Sequence, residues 1–182
     1  MLPFQKYLCE MNTIRIAEAT KKEAELIANL SRKTFYDSFA GDNSKEDMDK
    51  FLNEQFTREK LMAEVGAAGN IFLLAYDGDE VLGYARMRET PNPVSLEDGP
   101  AIEIARIYAE QKSIGKGVGS ALMQQCIEMA KRKNCRVIWL GVWEKNYKAI
   151  AFYTRWGFER FSEHIFMLGN DPQTDWLMKK GL

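Results

Sequence analysis

Apolar positions along the chain switch between a period of two and a period near 3.6, so strands and helices alternate from end to end. Residues 12–19 alternate, with Ile14 and Ile16 on one face, and predict a first strand. Thr20 with Glu23 three residues on makes a capping box ahead of a helix whose face carries Leu26, Ile27, Leu30, Thr34 and Phe35. Asp42, Asn43 and Ser44 break it, and Ser44 with Asp47 opens a second helix carried by Met48, Phe51, Leu52, Gln55 and Phe56. A shorter third helix, holding Leu61, Met62 and Val65, is predicted after Thr57. IFLLAY and VLGYARMRE are β-rich runs joined by Asp77-Gly78-Asp79-Glu80, a hairpin signal.

The stretch from Ala101 to Phe158 organises the rest. Residues 90–100, rich in proline and polar residues, predict a surface loop just before it, either a connector or a cover for a site. IEIARIYAE then reads as a strand that runs through Gly115, Gly117 and Gly119 into a helix with Val118, Ala121, Leu122, Cys126, Met129 and Ala130 on one face. Cys126 is read as core. RVIWLGVW is largely apolar, as expected of a strand buried between helices. Asn146 caps a helix running to Trp156, and Gly157 stops it. The remainder, FERFSEHIFMLGNDPQTDWLMKK, predicts two strands joined by GNDP. The sum is an α/β (α+β) plan: a mixed sheet of six or seven strands flanked by helices.

The three glycines suggest chemistry. Glycines let backbone approach an anion closely, and the first free amides of the following helix point at whatever binds there. The same pattern also suits an ordinary strand-to-helix turn. Neither a P-loop nor the GxGxxG of a dinucleotide fold is present, so the phosphate carrier is of another kind.

Charge narrows the partners. The 25 basic and 26 acidic residues nearly cancel, with no basic run, which argues against nucleic-acid or membrane-surface binding and leaves room for a local acidic pocket. Cys9, Cys126 and Cys135 are odd in number and lack CxxC spacing, so neither a disulfide framework nor a zinc site is expected, and a reduced cytoplasm fits. The start has no apolar h-region and no run reaches transmembrane length.

The segment from the strand through Gly119 resembles the acetyl-CoA-binding half of the GNAT superfamily of N-acetyltransferases, whose loop reads Gln/Arg-x-x-Gly-x-Gly/Ala. Gly117 and Gly119 fit; Ile114 stands where the superfamily has Gln or Arg, and Gln111 or Lys116 is the candidate replacement. NYKAIAFYTRWGF at 146–158 is similar to the second cofactor motif. IWLGVWEKNYKAIAFYTRWGF with HIFMLGNDPQTDWLMKK looks like the PaiA-type polyamine N-acetyltransferases, and TFYDSF near residue 35 resembles their acceptor-side helix. The resemblance covers roughly residues 12–181. It implies a single domain over 12–182, an N-terminal extension over 1–11 with Met11 as an alternative start, and a central strand pair that splays around the cofactor's pantetheine arm.

It also implies roles. The donor is acetyl-CoA, held by Ile107, Tyr108, Ala109, Ile114, Gly115, Lys116, Gly117, Val118, Gly119, Ser120, Asn146, Ala149, Phe152 and Tyr153. No metal is called for. A primary amine of pKa about 10.4 must lose a proton at neutral pH, at a cost of about 4 to 5 kcal/mol. A base and a donor to the departing sulfur are therefore needed. Glu103 is the expected base and Glu144 the next candidate; backbone amides of 107–109 polarise the thioester, and Tyr153 serves the leaving thiolate. A polycationic acceptor calls for carboxylates and aromatic faces, here Phe35, Tyr36, Asp37 and Glu144. His164, the sole histidine, reads as structural. The expected activity is acetyl transfer to a polyamine such as spermidine or spermine by direct attack in a ternary complex, from a monomer or homodimer. A protein or peptide acetyltransferase and a non-catalytic acyl-CoA-binding regulator are the alternatives.

Overall fold

The computed structural model describes residues 14–89, 91, 93, 96 and 99–182. The expected extension over 1–11, Cys9, the first two residues of the predicted first strand and most of the loop at 90–100 lie outside that set.

Seven strands form one sheet: β1 (Arg15–Glu18), β2 (Asn70–Asp77), β3 (Glu80–Arg88), β4 (Ala101–Ala109), β5 (Val137–Trp143), β6 (Glu159–Leu168) and β7 (Asp171–Gly181). Their order is β1-β2-β3-β4-β5-β7-β6, with every neighbouring pair antiparallel except β4 and β5. A parallel pair requires a crossover, supplied by α4 (Val118–Arg132). Helix α4 lays Val118, Leu122, Met123, Cys126, Ile127 and Ala130 on one face of the sheet, together with Tyr153 of α5 (Tyr147–Arg155) and Phe158. Helices α1 (Ala24–Phe39), α2 (Lys45–Lys50) and α3 (Arg58–Glu64) belong to the opposite face, where Ile27 and Leu30 pack on Phe72, Leu74 and Tyr84.

The Thr20–Glu23 capping box forms, with the Thr20 amide 2.7 Å from Glu23 Oε2, but it caps a 3-10 turn over Lys21–Glu23 that leads into α1. Leu26, expected on the buried face of that helix, is 40% exposed. The contact line runs through Ala24, Ile27, Ala28, Ser31 and Thr34, small residues at the close approach, and Leu26 is turned off it. Met62 is likewise exposed while its neighbour Leu61 is buried. The second helix widens after Lys50 into a π-turn over Phe51–Gln55, with the Phe56 amide bonded to the Phe51 carbonyl at 2.9 Å. Arg32 donates to the carbonyls of Leu52 and Phe56, satisfying groups that the widened turn leaves free.

One irregularity shapes the middle of the sheet. Arg86 of β3 faces Arg106, yet Met87 faces Ile104, so Ala105 is an extra residue and β4 bulges there. Ile102 and Ile104 before the bulge, and Ile107 and Ala109 after it, pack towards α4. Glu103, Arg106 and Tyr108 therefore point to the α1 side. The expected uniform alternation of this strand is corrected by that slip. Beyond Glu103, β4 and β5 part, their pairing limited to Ala101↔Val137, Ile102↔Ile138 and Glu103↔Trp139.

Candidate functional site

The gap between the diverging strands is the centre of the site. Glu110 donates its amide to the Leu82 carbonyl of β3 at 2.8 Å. By the two-residue alternation of an antiparallel ladder, the amide of Tyr108 also points to β3, and those of Ile107 and Ala109 point into the gap. Two donors thus face the opening from a strand fixed on its other side.

At the end of β4 the chain turns through a short 3-10 segment, Gln111–Ser113, into the glycine loop. Gly115 and Gly117 take φ of 84° and 88°, left-handed backbone in which a side chain is strained. Gly117 is the N-cap of α4 and offers no side-chain cap. Its carbonyl accepts from Ala121 at 3.0 Å, while the amides of Gly117, Val118, Gly119 and Ser120 have no backbone partner among the described residues. Gly119 lies against Phe152 of α5, where an added Cβ would meet the ring at 3.6 Å. Ser113 Oγ is buried without a hydrogen-bond partner among the described residues. Uncapped amides beside an orphaned buried hydroxyl form a cradle with unspent donors, which fits a pyrophosphate-bearing donor. Ile114 is 70% exposed and offers that cradle nothing polar. Lys116 lines a small cavity with Ser113, Lys112 and Glu80, and Lys112 is paired with Glu80.

On the α4 side of the gap, Asn146 caps α5, its side-chain oxygen accepting from the Ala149 amide at 3.1 Å. Gly157 closes the helix at φ 82°. Tyr153 is buried beside Phe152 and Phe158 at ring distances of 5.6 and 6.1 Å. Burial, and next the neighbouring Cys126, push its phenol above the ordinary value, so it is a proton donor at neutral pH. Burial alone pushes the Cys126 thiol up to about 12, and this cysteine is core as expected.

On the α1 side lie charges and aromatics. Glu103 is 6% exposed and faces Arg88, whose Nη2 is 3.0 Å from one carboxylate oxygen while Nε holds the other. It is therefore not a solvent-facing strand residue, and the expected base is doubly engaged by a guanidinium. Of the TFYDSF aromatics, Phe35 is core, its ring 4.7 Å from Phe51 in a stacked arrangement. The expectation that it lines a pocket is corrected by that burial. Tyr36 is half exposed, and Asp37 is bound to Lys33 on the helix surface at 3.0 Å. Phe39 is the aromatic of the motif that reaches the sheet, edge-on to Trp143 at 6.3 Å. Glu144 follows Trp143 at the end of β5, tied by its amide to the Thr174 carbonyl at 3.0 Å.

Cross-strand register adds residues that no linear motif groups. Trp143 pairs with Asp175, and Asp175 pairs with His164, one row across β5, β7 and β6. His164 Nε2 stands 3.7 Å from Asp175 Oδ2, an ion-pair separation. Gly141, one step along β5, is exposed in mid-strand, and a Cβ placed there would lie 3.7 Å from Asp175 Oδ2 and 3.9 Å from His164 Nε2. Burial above all raises the phenol of Tyr108, against the lowering charge of Arg106.

Comparison with known proteins places this geometry. The model of the acetyltransferase (GNAT) family matches residues 28–158. A protein of Lactobacillus delbrueckii subsp. lactis described as an uncharacterized N-acetyltransferase is 38% identical over 172 residues, covering 94% of this chain and 99% of the relative. The spermidine N(1)-acetyltransferase of Thermoplasma acidophilum is 22% identical over 151 residues, 81% of this chain and 89% of the relative. The crystal structure of the PaiA N-acetyltransferase of that organism with coenzyme A superposes with a TM-score of 0.75 at 21% identity, covering 93% of this chain and 99% of that one.

Proposed function

The chain belongs to the GNAT family of acetyltransferases, N-acetyltransferases whose donor is acetyl-CoA, and from that premise we propose that its acceptor is a polyamine. The observation that carries the proposal is the row Trp143–Asp175–His164, a carboxylate-bearing aromatic face with open space at Gly141 on the strand that bounds the gap. An ammonium is held there by charge and by aromatic faces, and a flexible chain of amines finds further carboxylates at Glu144 and Asp37. The similarity to a spermidine N(1)-acetyltransferase supports the same acceptor class.

The donor supplies an activated acetyl thioester, and the chain's residues do the rest. The free amides of Gly117, Val118, Gly119 and Ser120 bind its pyrophosphate, with Lys116 taking the place that Ile114 leaves unfilled. Asn146, Ala149 and Phe152 flank its arm. The amides of Ile107 and Ala109 polarise the thioester carbonyl, and Tyr153 hydrogen-bonds the departing sulfur. Amine and donor meet from opposite faces of the sheet, so direct attack in a ternary complex follows without a covalent enzyme intermediate.

The test is thiol release from acetyl-CoA with spermidine, with a lysine-bearing peptide, and with no acceptor. Release that depends on spermidine is expected. Release with the peptide alone would assign the acceptor face to protein amines instead, and acetyl-CoA binding without release under any condition would overturn the enzymatic reading of the acceptor side.

A further inference from the structure

Resting on the reading that this face receives the amine, we infer that His164 takes the proton from the attacking ammonium and that Asp175 positions His164 to do so. The register makes the pair: Asp175 is the direct cross-strand partner of both His164 and Trp143, and Trp143 ends the strand that bounds the gap. Continued past Glu103↔Trp139 with the extra residue at Ala105 counted, the β4–β5 register brings Trp143 level with Tyr108, between the Ile107 and Ala109 amides that face the gap. Asp175 stands on β7 next to β5, and His164, on β6 beyond it, reaches back so that its Nε2 is 3.9 Å from the Cβ position of Gly141, where no side chain fills the space.

The other candidate base is less suited. Both oxygens of Glu103 are engaged by Arg88, so a proton delivered there displaces a charge-assisted bond. His164 is half exposed, and its Nε2, 3.7 Å from Asp175 Oδ2 and beside Gly141, is the nitrogen that reaches the gap-bounding strand. Asp175, then weaker contributions from Glu103, raises the imidazole above its ordinary value, against partial burial and the charge of Arg88. Those are the charged groups facing it from β7, β4 and β3; β5 contributes the uncharged Gly141. On its own strand, Arg160 and Glu163 pair with each other on the opposite face, where Arg160 covers Trp176.

The step balances. One N–H bond of the ammonium breaks and its proton goes to His164 Nε2, and the imidazolium so formed faces Asp175. The freed lone pair forms the C–N bond at the thioester carbonyl, the C–S bond breaks, and a second amine proton reaches the leaving sulfur through the Tyr153 hydroxyl. His164 then releases its proton to water through its exposed edge.

Steady-state thiol release with spermidine tests this on the wild type, His164→Ala, His164→Gln and Asp175→Asn between pH 6 and 9.5. Acetyl-CoA binding is the check that each variant is folded. Wild-type kcat/KM is expected to fall on the acid side with an apparent pKa above 6.5, since the neutral imidazole is the active form. Asp175→Asn moves that limb to lower pH. His164→Ala and His164→Gln lose about a hundredfold in kcat near pH 7, with activity then rising about tenfold per pH unit as free amine appears in solution. A role confined to packing moves none of these profiles. Folded histidine variants with the wild-type rate and acid limb would overturn the inference while leaving the acceptor assignment intact. A wild type inactive with spermidine would overturn both.

Discussion

Tyr153 carries the sharpest residue-scale consequence of burial. A phenol pushed up by the core is protonated across the working range, so in the proposed reaction its part is to donate to sulfur and not to take a proton from the amine. Tyr153→Phe keeps the ring and its contacts with Phe152 and Phe158 and removes only the hydroxyl. The expected outcome is a loss of about a hundredfold in kcat with acetyl-CoA affinity unchanged, read by thiol release and by calorimetric titration of the donor. An unchanged kcat would mean that water protonates the thiolate. The motif marked this tyrosine in the sequence. It did not mark Asp175, which lies 22 residues beyond Tyr153 in the chain and joins the site only through strand pairing.

At the scale of elements, α3 is held to the sheet by charge as much as by packing. Glu64 takes Arg86 at 2.7 Å and Arg106 at 2.5 and 3.0 Å, while Arg86 also donates to Asn70 at 2.8 Å and Arg106 covers Phe56 at 4.6 Å. Burial, and next the charge of Arg106, lowers Arg86 to about 10, and Glu64 opposes both. Removing the single carboxylate leaves two guanidiniums facing each other with little water. Glu64→Gln is therefore expected to destabilise the fold by about 3 to 5 kcal/mol, measured as a lower urea midpoint at an unchanged slope. A shift below about 1 kcal/mol would show that water reaches both arginines. The bulge at Ala105 matters on the same scale, because it turns Arg106 rather than Ile107 towards Glu64. The spacing of three between Ile104 and Ile107, where a regular strand has two, is the sequence signal of that slip.

The whole molecule is a sheet nearly divided in two. Strands β1–β4 and β5–β7 meet through three residue pairs, and past Glu103 the gap lies between them. A donor held as proposed, by the loop after β4 and by α5 after β5, would bridge the halves. Saturating acetyl-CoA, at about a hundred times its Kd, is expected to add about 2.7 kcal/mol of stability. It is also expected to slow amide exchange in 104–109 and 140–143 together, as seen by hydrogen-exchange mass spectrometry. Protection of one side alone would mean that the donor does not span the gap. Among the described residues no helix is long and apolar enough to cross a membrane.

The sequence by itself determined the elements and much of the donor side. Periodicity, caps and turn residues are local, and the chain order of strand, glycine loop, helix and strand carries the cradle with it, so Gly115, Gly117, Gly119, Asn146 and Tyr153 were legible in line. The seven-stranded sheet is the upper end of what the pattern allows. Only the tertiary structure decided the acceptor side. Phe35 and Phe39 lie on one helix four residues apart, and packing against α2 and the π-turn makes the first core and sends the second to Trp143. Glu103 reads as the base in the sequence, and only the placement of Arg88 across from it shows both carboxylate oxygens engaged. His164 and Asp175 become neighbours through the β6–β7 register, and a register is a long-range property: a slip of β6 by one residue would turn His164 to the face away from Asp175.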